Sequence, residues 1–149
     1  MSFVKPHGAL GNLAARDDRV AGAIADAVAR VDKDMAVLAI SGNKLEDASR
    51  EAGLVVYSEV FADRGYLASG QLVPRGDKGA MIHDADVATA RLLSFLETGL
   101  MPVIDGDPIA LKAHSICVHG DSPTAVAMAL EIRNGLETAD IQLGSFVSI

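Results

Sequence analysis

Met35-Ala36-Val37-Leu38-Ala39-Ile40 is an unbroken apolar run, and Ser41-Gly42-Asn43 follows it directly. A strand with one wet face would alternate apolar and polar residues, because successive side chains point to opposite sides. This run does not alternate, so it reads as a strand buried on both faces, as in a parallel sheet covered by helices. The turn-forming triplet then sends the chain back across the sheet.

The flanking segments fit that reading. Upstream, Asp17 is a good N-cap for a helix carrying Val20, Ile24, Val28 and Val31 along one face. Downstream, a short helix bearing Leu45, Ala48 and Ala52 ends at Gly53, and Leu54 to Val60 is strand-like and rich in β-branched residues. Phe61 to His83 is long and irregular, punctuated by Gly65, Gly70, Pro74, Gly76 and Gly79, and loops of that length are more often functional than incidental. Asp84 caps a helix through Leu96 that Gly99 closes. A short apolar piece at Met101 to Ile104, a turn at Asp105 to Pro108 and a short strand at Ile109 to Leu111 come next. Ser115 to Val118 is the last strand, and Ser122 and Pro123 start a final helix that runs to about Gly135. The βαβα order predicts an α/β fold of parallel strands with covering helices, and 149 residues without a linker predict a single domain over residues 1–149.

Composition narrows the class. Half of the residues are hydrophobic but only 4% are aromatic, so small aliphatic side chains must fill the core. The net charge of −7 argues against wrapping around nucleic acid or binding an anionic membrane, since both need clustered Lys and Arg. Cys117 is the single cysteine, which forbids an intramolecular disulfide and suits a reducing cytoplasm. Inside an apolar strand it reads as a core residue. His83 and His114 have no partners at metal-ligand spacing, so no metal site is readable. Gly76-Asp77-Lys78-Gly79 is not a P-loop, because the Gly-Lys-Ser/Thr signature is absent.

Four polar clusters follow strand-like runs: Lys5-Pro6-His7-Gly8, Glu59 through Arg64, Leu72-Val73-Pro74-Arg75 and His119-Gly120-Asp121. In parallel sheets, active groups gather at the carboxyl ends of strands. The same clusters, extended to Val4 to Leu10, Ser58 to Arg64, Leu72 to Arg75 and Cys117 to Pro123, resemble successive signatures of the LamB/YcsF family in the family's order. The resemblance implies a distorted (β/α) barrel related to polysaccharide deacetylases, here partial. It also implies participation, as the A subunit beside two partner subunits, in the ATP-driven opening of 5-oxoproline to glutamate. The family's acidic strand motif, its Gly-Phe-His motif and its Ala-His-Pro motif do not occur, so the chain is expected to be the family's carboxy-terminal part. At Gly11 the family usually has Tyr.

Each candidate residue has two readings. Lys5 and His7 lie on the same side of an extended segment. Lys5 would stabilise negative charge on phosphate or lactam oxygen and His7 would shuttle a proton; otherwise one is a solvated lysine and the other a structural histidine. Glu59, Asp63 and Arg64 suggest a local charged network at the substrate or phosphate, or plain ion pairing. Arg75, then Arg64, suits a carboxylate or phosphate through bidentate guanidinium pairing. Asp121 would act as a base or orient water beside His119; alternatively, Asp121 and Ser122 only cap the helix. ATP, carried with Mg2+, is the implied co-substrate. An inactive interaction module that self-associates through open strand edges is the alternative, and metal-dependent deacetylation by kinship of fold is a third reading.

Overall fold

The computed structural model describes residues 2–120 and 124–147. Along the chain run β1 (Phe3–Val4), α1 (Gly8–Ala14), α2 (Asp18–Val31), β2 (Ala36–Ile40), α3 (Lys44–Glu51), β3 (Val56–Phe61), α4 (Ala85–Thr98), β4 (Leu100–Met101), β5 (Ile109–Ala110), β6 (Ser115–Cys117) and α5 (Ala125–Thr138). The fold is α/β, with a sheet ordered β1-β2-β3-β6 in which β1 pairs β2 and β2 pairs β3 in parallel. Among the described residues no helix is long and apolar enough to cross a membrane. The chain divides into two compact units. One comprises Met1–Val60, Lys112–Ser115 and Phe146–Ile149, and the other Phe61–Leu111 and Ile116–Ser145.

In the first unit, the run that decided the fold is β2, and Ala36 to Ala39 are all buried. Asp17 caps α2 as expected, its side chain accepting from the backbone N–H groups of Arg19 and Val20. The buried face of α2 is Ala21, Ala25 and Val28, whereas Val31 is 78% exposed. At about 100° per residue, Val20 and Val31 lie on one flank of the stripe that the alanines centre. Of the expected face of Val20, Ile24, Val28 and Val31, Val28 is in the core and Val20 and Ile24 pack partly buried against it, so only Val31 falls outside, and Ala21 and Ala25 complete the contact. Val37, Ala39, Leu45 and Leu54 complete this core.

Helix α1 was not expected, because Gly8 and Gly11 weaken helix propensity. Gly11 is nonetheless required there: a Cβ on it would lie 2.7 Å from the Pro6 carbonyl oxygen. Any side chain at this position would force the backbone around Pro6 to shift.

In the second unit, α4 turns Ala88, Leu92 and Phe95 inward and packs on α5, which contributes Ala125, Met128, Ile132 and Leu136. Helix α5 does not stop at Gly135 but continues to Thr138. A Cβ at Gly135 would lie 2.3 Å from Thr89 Cγ2, so this glycine serves close helix contact and not termination. The expected caps Ser122 and Pro123 lie outside the described residues. Strands β4 and β5 pair antiparallel around the Asp105 to Pro108 turn.

The long segment after β3 is irregular but internally tied. Gly65 N donates to Ala80 O, Val73 N to Gly65 O and Ile82 N to Asp63 O. Phe61 through Tyr66 are all buried, and Tyr66 is fully enclosed. The close approach at Gly65 admits no side chain, since a Cβ would lie 2.1 Å from the Gly79 carbonyl oxygen.

Candidate functional site

The first unit assembles a buried charge pair. Lys5 follows β1 directly, and Glu59 lies on β3, where Ile40 of β2 is its register partner. The Lys5 ammonium pairs with Glu59 Oε2; the side chains are 18% and 4% exposed. Ser115 Oγ donates to the other oxygen, Glu59 Oε1, at 3.4 Å. Taking a carboxylate out of water is costly unless it is paired, so Lys5 is needed for Glu59 to be buried as a charge. His7 is exposed and occupies the N-cap position of α1 without a side-chain cap hydrogen bond.

On β3, Ser58 precedes Glu59 and therefore faces the opposite side of the sheet. There its Oγ donates to Glu46 Oε1 at 2.5 Å. Arg50 donates to the same oxygen at 2.6 Å, and Gly42 N donates to Oε2 at 2.5 Å. Glu46 N in turn donates to Asn43 Oδ1 at 3.0 Å, the N-cap bond of α3, while its carboxylate reaches back to the backbone one residue before that cap. Burial pushes the Glu46 carboxyl up, but the Ser58, Arg50 and Gly42 hydrogen bonds and the Arg50 charge outweigh it and hold it below its ordinary value. His114 backs this strand differently: its Nδ1 accepts from Ser58 N at 2.9 Å, and its own N donates to Ser58 O at 2.8 Å.

The second unit assembles an aspartate–histidine dyad. Asp63 follows the end of β3 and is 5% exposed at its side chain; the His119 side chain is 22% exposed. His119 Nδ1 lies 3.0 Å from Asp63 Oδ1 and 2.9 Å from Oδ2, and His119 N donates to Oδ2 at 2.9 Å. The Phe61 ring stacks on the imidazole, with centroids 5.4 Å apart and 21° between planes.

Arg64 is turned inward. Its Nε donates to Ala80 O at 2.9 Å and its Nη2 to Val73 O at 2.6 Å, so it ties the long loop together from within. Of the two readings of Glu59, Asp63 and Arg64, a shared network or plain ion pairing, the geometry matches pairing for Glu59 with Lys5 and Asp63 with His119, while Arg64 binds backbone carbonyls. Arg75 stands exposed on the same loop. Asp121 lies outside the described residues. Among the described residues no three His, Cys, Asp or Glu side chains cluster as metal ligands. Cys117 is unbridged and partly exposed on β6, less enclosed than a core residue.

Arg91 escaped sequence reasoning. Its Nη1 reaches Phe61 O at 3.4 Å and Ala62 O at 3.3 Å, its Nη2 reaches Pro102 O at 3.5 Å, and its guanidinium lies 5.4 Å from the Tyr66 ring centre. Burial lowers its affinity for its proton, against the opposing charges of Tyr66 and Asp63. An arginine between the inward-facing Ala88 and Leu92 was the available signal. Glu46 had one as well, in the Asn43-x-x-Glu46 spacing of a cap.

Relatives agree with the motif reading. The A subunit of 5-oxoprolinase from Syntrophobacter fumaroxidans is 44% identical over 143 residues, and that from Heliobacterium modesticaldum is 46% identical over 141. These alignments take in 96% and 95% of this chain and 56% of each relative, so the chain spans a little over half their length. The crystal structure of a lactam utilization protein from Thermus thermophilus superposes with a TM-score of 0.86 at 38% identity, over 96% of this chain and 57% of that one. The LamB/YcsF family pattern matches residues 1–149, and the chain belongs to that family.

Proposed function

We propose that this chain takes part, as an A-type subunit, in an ATP-coupled 5-oxoprolinase that opens 5-oxoproline to L-glutamate. The observation that carries the reading is 44% identity, over 96% of the chain, to the A subunit of a 5-oxoprolinase. The Asp63–His119 dyad supplies fitting chemistry, an oriented imidazole with its second nitrogen available to a water or an amine. In the proposed reaction, ATP transfers its γ-phosphoryl group to the lactam oxygen. Water then adds to the activated carbon, the ring C–N bond breaks and the nitrogen takes up a proton, leaving γ-glutamyl phosphate; a second water cleaves that acyl phosphate to glutamate and phosphate, with ADP as the other product. Mg2+ travels on the nucleotide phosphates.

Within this scheme Arg75 anchors the substrate carboxylate or a phosphate, Lys5 with Glu59 provides fixed charge, and Asp121 and His7 assist proton movement. The sheet and its helices would form the carboxy-terminal part of a distorted (β/α) barrel of the polysaccharide-deacetylase-like type. Two partner subunits and a cytoplasmic setting complete the proposal. A second reading, a catalytically inactive interaction module, draws on Val126 and Leu130, exposed one helical turn apart on α5.

The deciding assay is glutamate release from 5-oxoproline and ATP by this chain mixed with the two partner subunits. We expect ATP-dependent release that falls about 10²-fold or more with His119→Ala. No release from a folded chain sinks the assignment and favours the inactive module. Release undiminished by Arg75→Ala or Asp121→Ala removes those residues from the site.

A further inference from the structure

We infer that Asp63 is a positioning residue that fixes His119 as a proton acceptor at Nε2, and not a contact to substrate or phosphate. The inference deepens the 5-oxoprolinase reading and rests on it for its kinetic part only.

The hydrogen-bond geometry leaves little choice of arrangement. Oδ2 already receives the His119 backbone N–H at 2.9 Å, which can only donate. Nδ1 faces both carboxylate oxygens, at 2.9 and 3.0 Å, and a carboxylate has lone pairs but no hydrogen to offer. Nδ1 must therefore carry a hydrogen, and in the neutral ring Nε2 is left as the acceptor. A carboxylate engaged this fully, on a side chain 5% exposed, is poorly placed to bind a ligand of its own.

Its surroundings hold it in place from several sides. Ala62 N donates to Cys117 O at 3.0 Å, and Asp63 O accepts from Ile82 N at 2.9 Å. Phe61 N donates to the Tyr66 hydroxyl at 3.0 Å, while Arg91 reaches the carbonyls of Phe61 and Ala62. Phe61 is thus a fixed shelf, and its ring covers one face of the imidazole. The other ring nitrogen belongs to a side chain that keeps 22% of its surface open. A histidine that only closed a strand end would need the Nδ1 bond but neither a second acceptor oxygen nor a stacked shelf.

The tautomer can be read without any activity. Long-range 1H–15N spectra of the 149-residue chain, taken where the ring is neutral, separate the two tautomers, and His119→Gln identifies the His119 signals among the four histidines. We expect hydrogen on Nδ1 in the wild type. In Asp63→Asn, the amide oxygen is held at the Oδ2 position by His119 N–H, which turns the NH2 group toward Nδ1. That should move the hydrogen to Nε2 and make the outer nitrogen a donor. In the assembled enzyme, the same variant should lower kcat about 10²- to 10⁴-fold with KM for 5-oxoproline little changed. A wild-type ring with its hydrogen on Nε2 overturns the inference, and it does so without relying on a variant that folds. An Asp63→Asn enzyme that loses KM and keeps kcat overturns it too, and returns Asp63 to substrate binding. If the wild-type assembly releases no glutamate, the functional reading fails while the spectra still decide the dyad.

Discussion

Glu46→Gln offers a quantitative test of how the first unit is held together. All three side-chain partners of Glu46 approach as donors: Ser58 Oγ and Arg50 at Oε1, and Gly42 N at Oε2. A glutamine keeps the shape but replaces one acceptor oxygen with NH2. With the amide oxygen at Oε1, NH2 meets the Gly42 N–H; with the oxygen at Oε2, NH2 meets Arg50 and forces the Ser58 hydroxyl to turn. The donor left unpaired is on an exposed residue, Gly42 or Arg50, and in a part-buried bond, so its loss costs about 1 kcal/mol, the low end of the range for an unmade hydrogen bond. The Arg50 pair, with the arginine half exposed, adds at most about 1 kcal/mol. A loss of about 1–2 kcal/mol is expected, which lowers Tm by roughly 2–8 °C for a chain of this size.

The pH dependence carries the sharper test. Because the folded-state carboxyl lies below its ordinary 4.5, the native state binds fewer protons than the unfolded one between the two values, and stability rises with pH there. The wild-type lead should be complete above about pH 4.5 and shrink as pH falls through the lower, folded value. Protonated Glu46 then resembles the glutamine. Urea unfolding followed by far-UV circular dichroism at a series of pH values between about 7 and 3 measures both quantities. Equal midpoints at neutral pH, or a gap that stays constant down to the acid end of the series, would refute the argument.

Other perturbations follow from the same geometry. Lys5→Ala should cost about 3–5 kcal/mol by stranding the buried Glu59 carboxylate. The double change Lys5→Met with Glu59→Leu should recover much of that in chemical denaturation while leaving glutamate release abolished. Arg64→Lys should not replace arginine, because a single ammonium cannot span the carbonyls of Ala80 and Val73. Limited proteolysis should cut between residues 61 and 83 faster in that variant, and an unchanged rate would show the loop is held by other means. Gly65→Ala should prevent the loop from closing on Gly79, whereas Gly76→Ala, with open space around it, should leave Tm within about 1–2 °C of the wild type.

The parts of the fold that sequence made legible were those governed by local chemistry. An unbroken apolar run has one comfortable home in a covered sheet, and Asp17 and Asp84 announce their helices because a carboxylate beside free backbone N–H groups is stabilising at a helix start. What escaped depended on distance in space. Val31 looked like core alongside Val20, Ile24 and Val28, yet it alone of the four is exposed, at the end of α2 where the buried stripe has turned away. Gly135 looked like a stop signal until Thr89 explained it. In the site, Asp63 and His119 were both visible as polar residues after strands, yet 56 positions separate them and nothing local shows that they meet. Arg64 shows the same limit: an arginine on a long loop reads as a ligand for anions, and its bonds to the loop's own carbonyls appear only when the loop is folded.

The division of the chain into two units has a practical spectroscopic consequence. There is no tryptophan, and the two tyrosines fall one to each unit: Tyr57 on β3 in the first and Tyr66 in the second. Their surroundings differ in kind. Tyr57 meets His114 and Phe146 edge-on, while Tyr66 is fully enclosed beneath the Arg91 guanidinium. Tyrosine absorbance and near-ultraviolet dichroism therefore carry two signals of separate origin, and Tyr57→Phe leaves the second unit as the dominant reporter. Melting curves from the two backgrounds would coincide if the units unfold together and part if one loosens first, so the chain carries its own optical test of cooperativity.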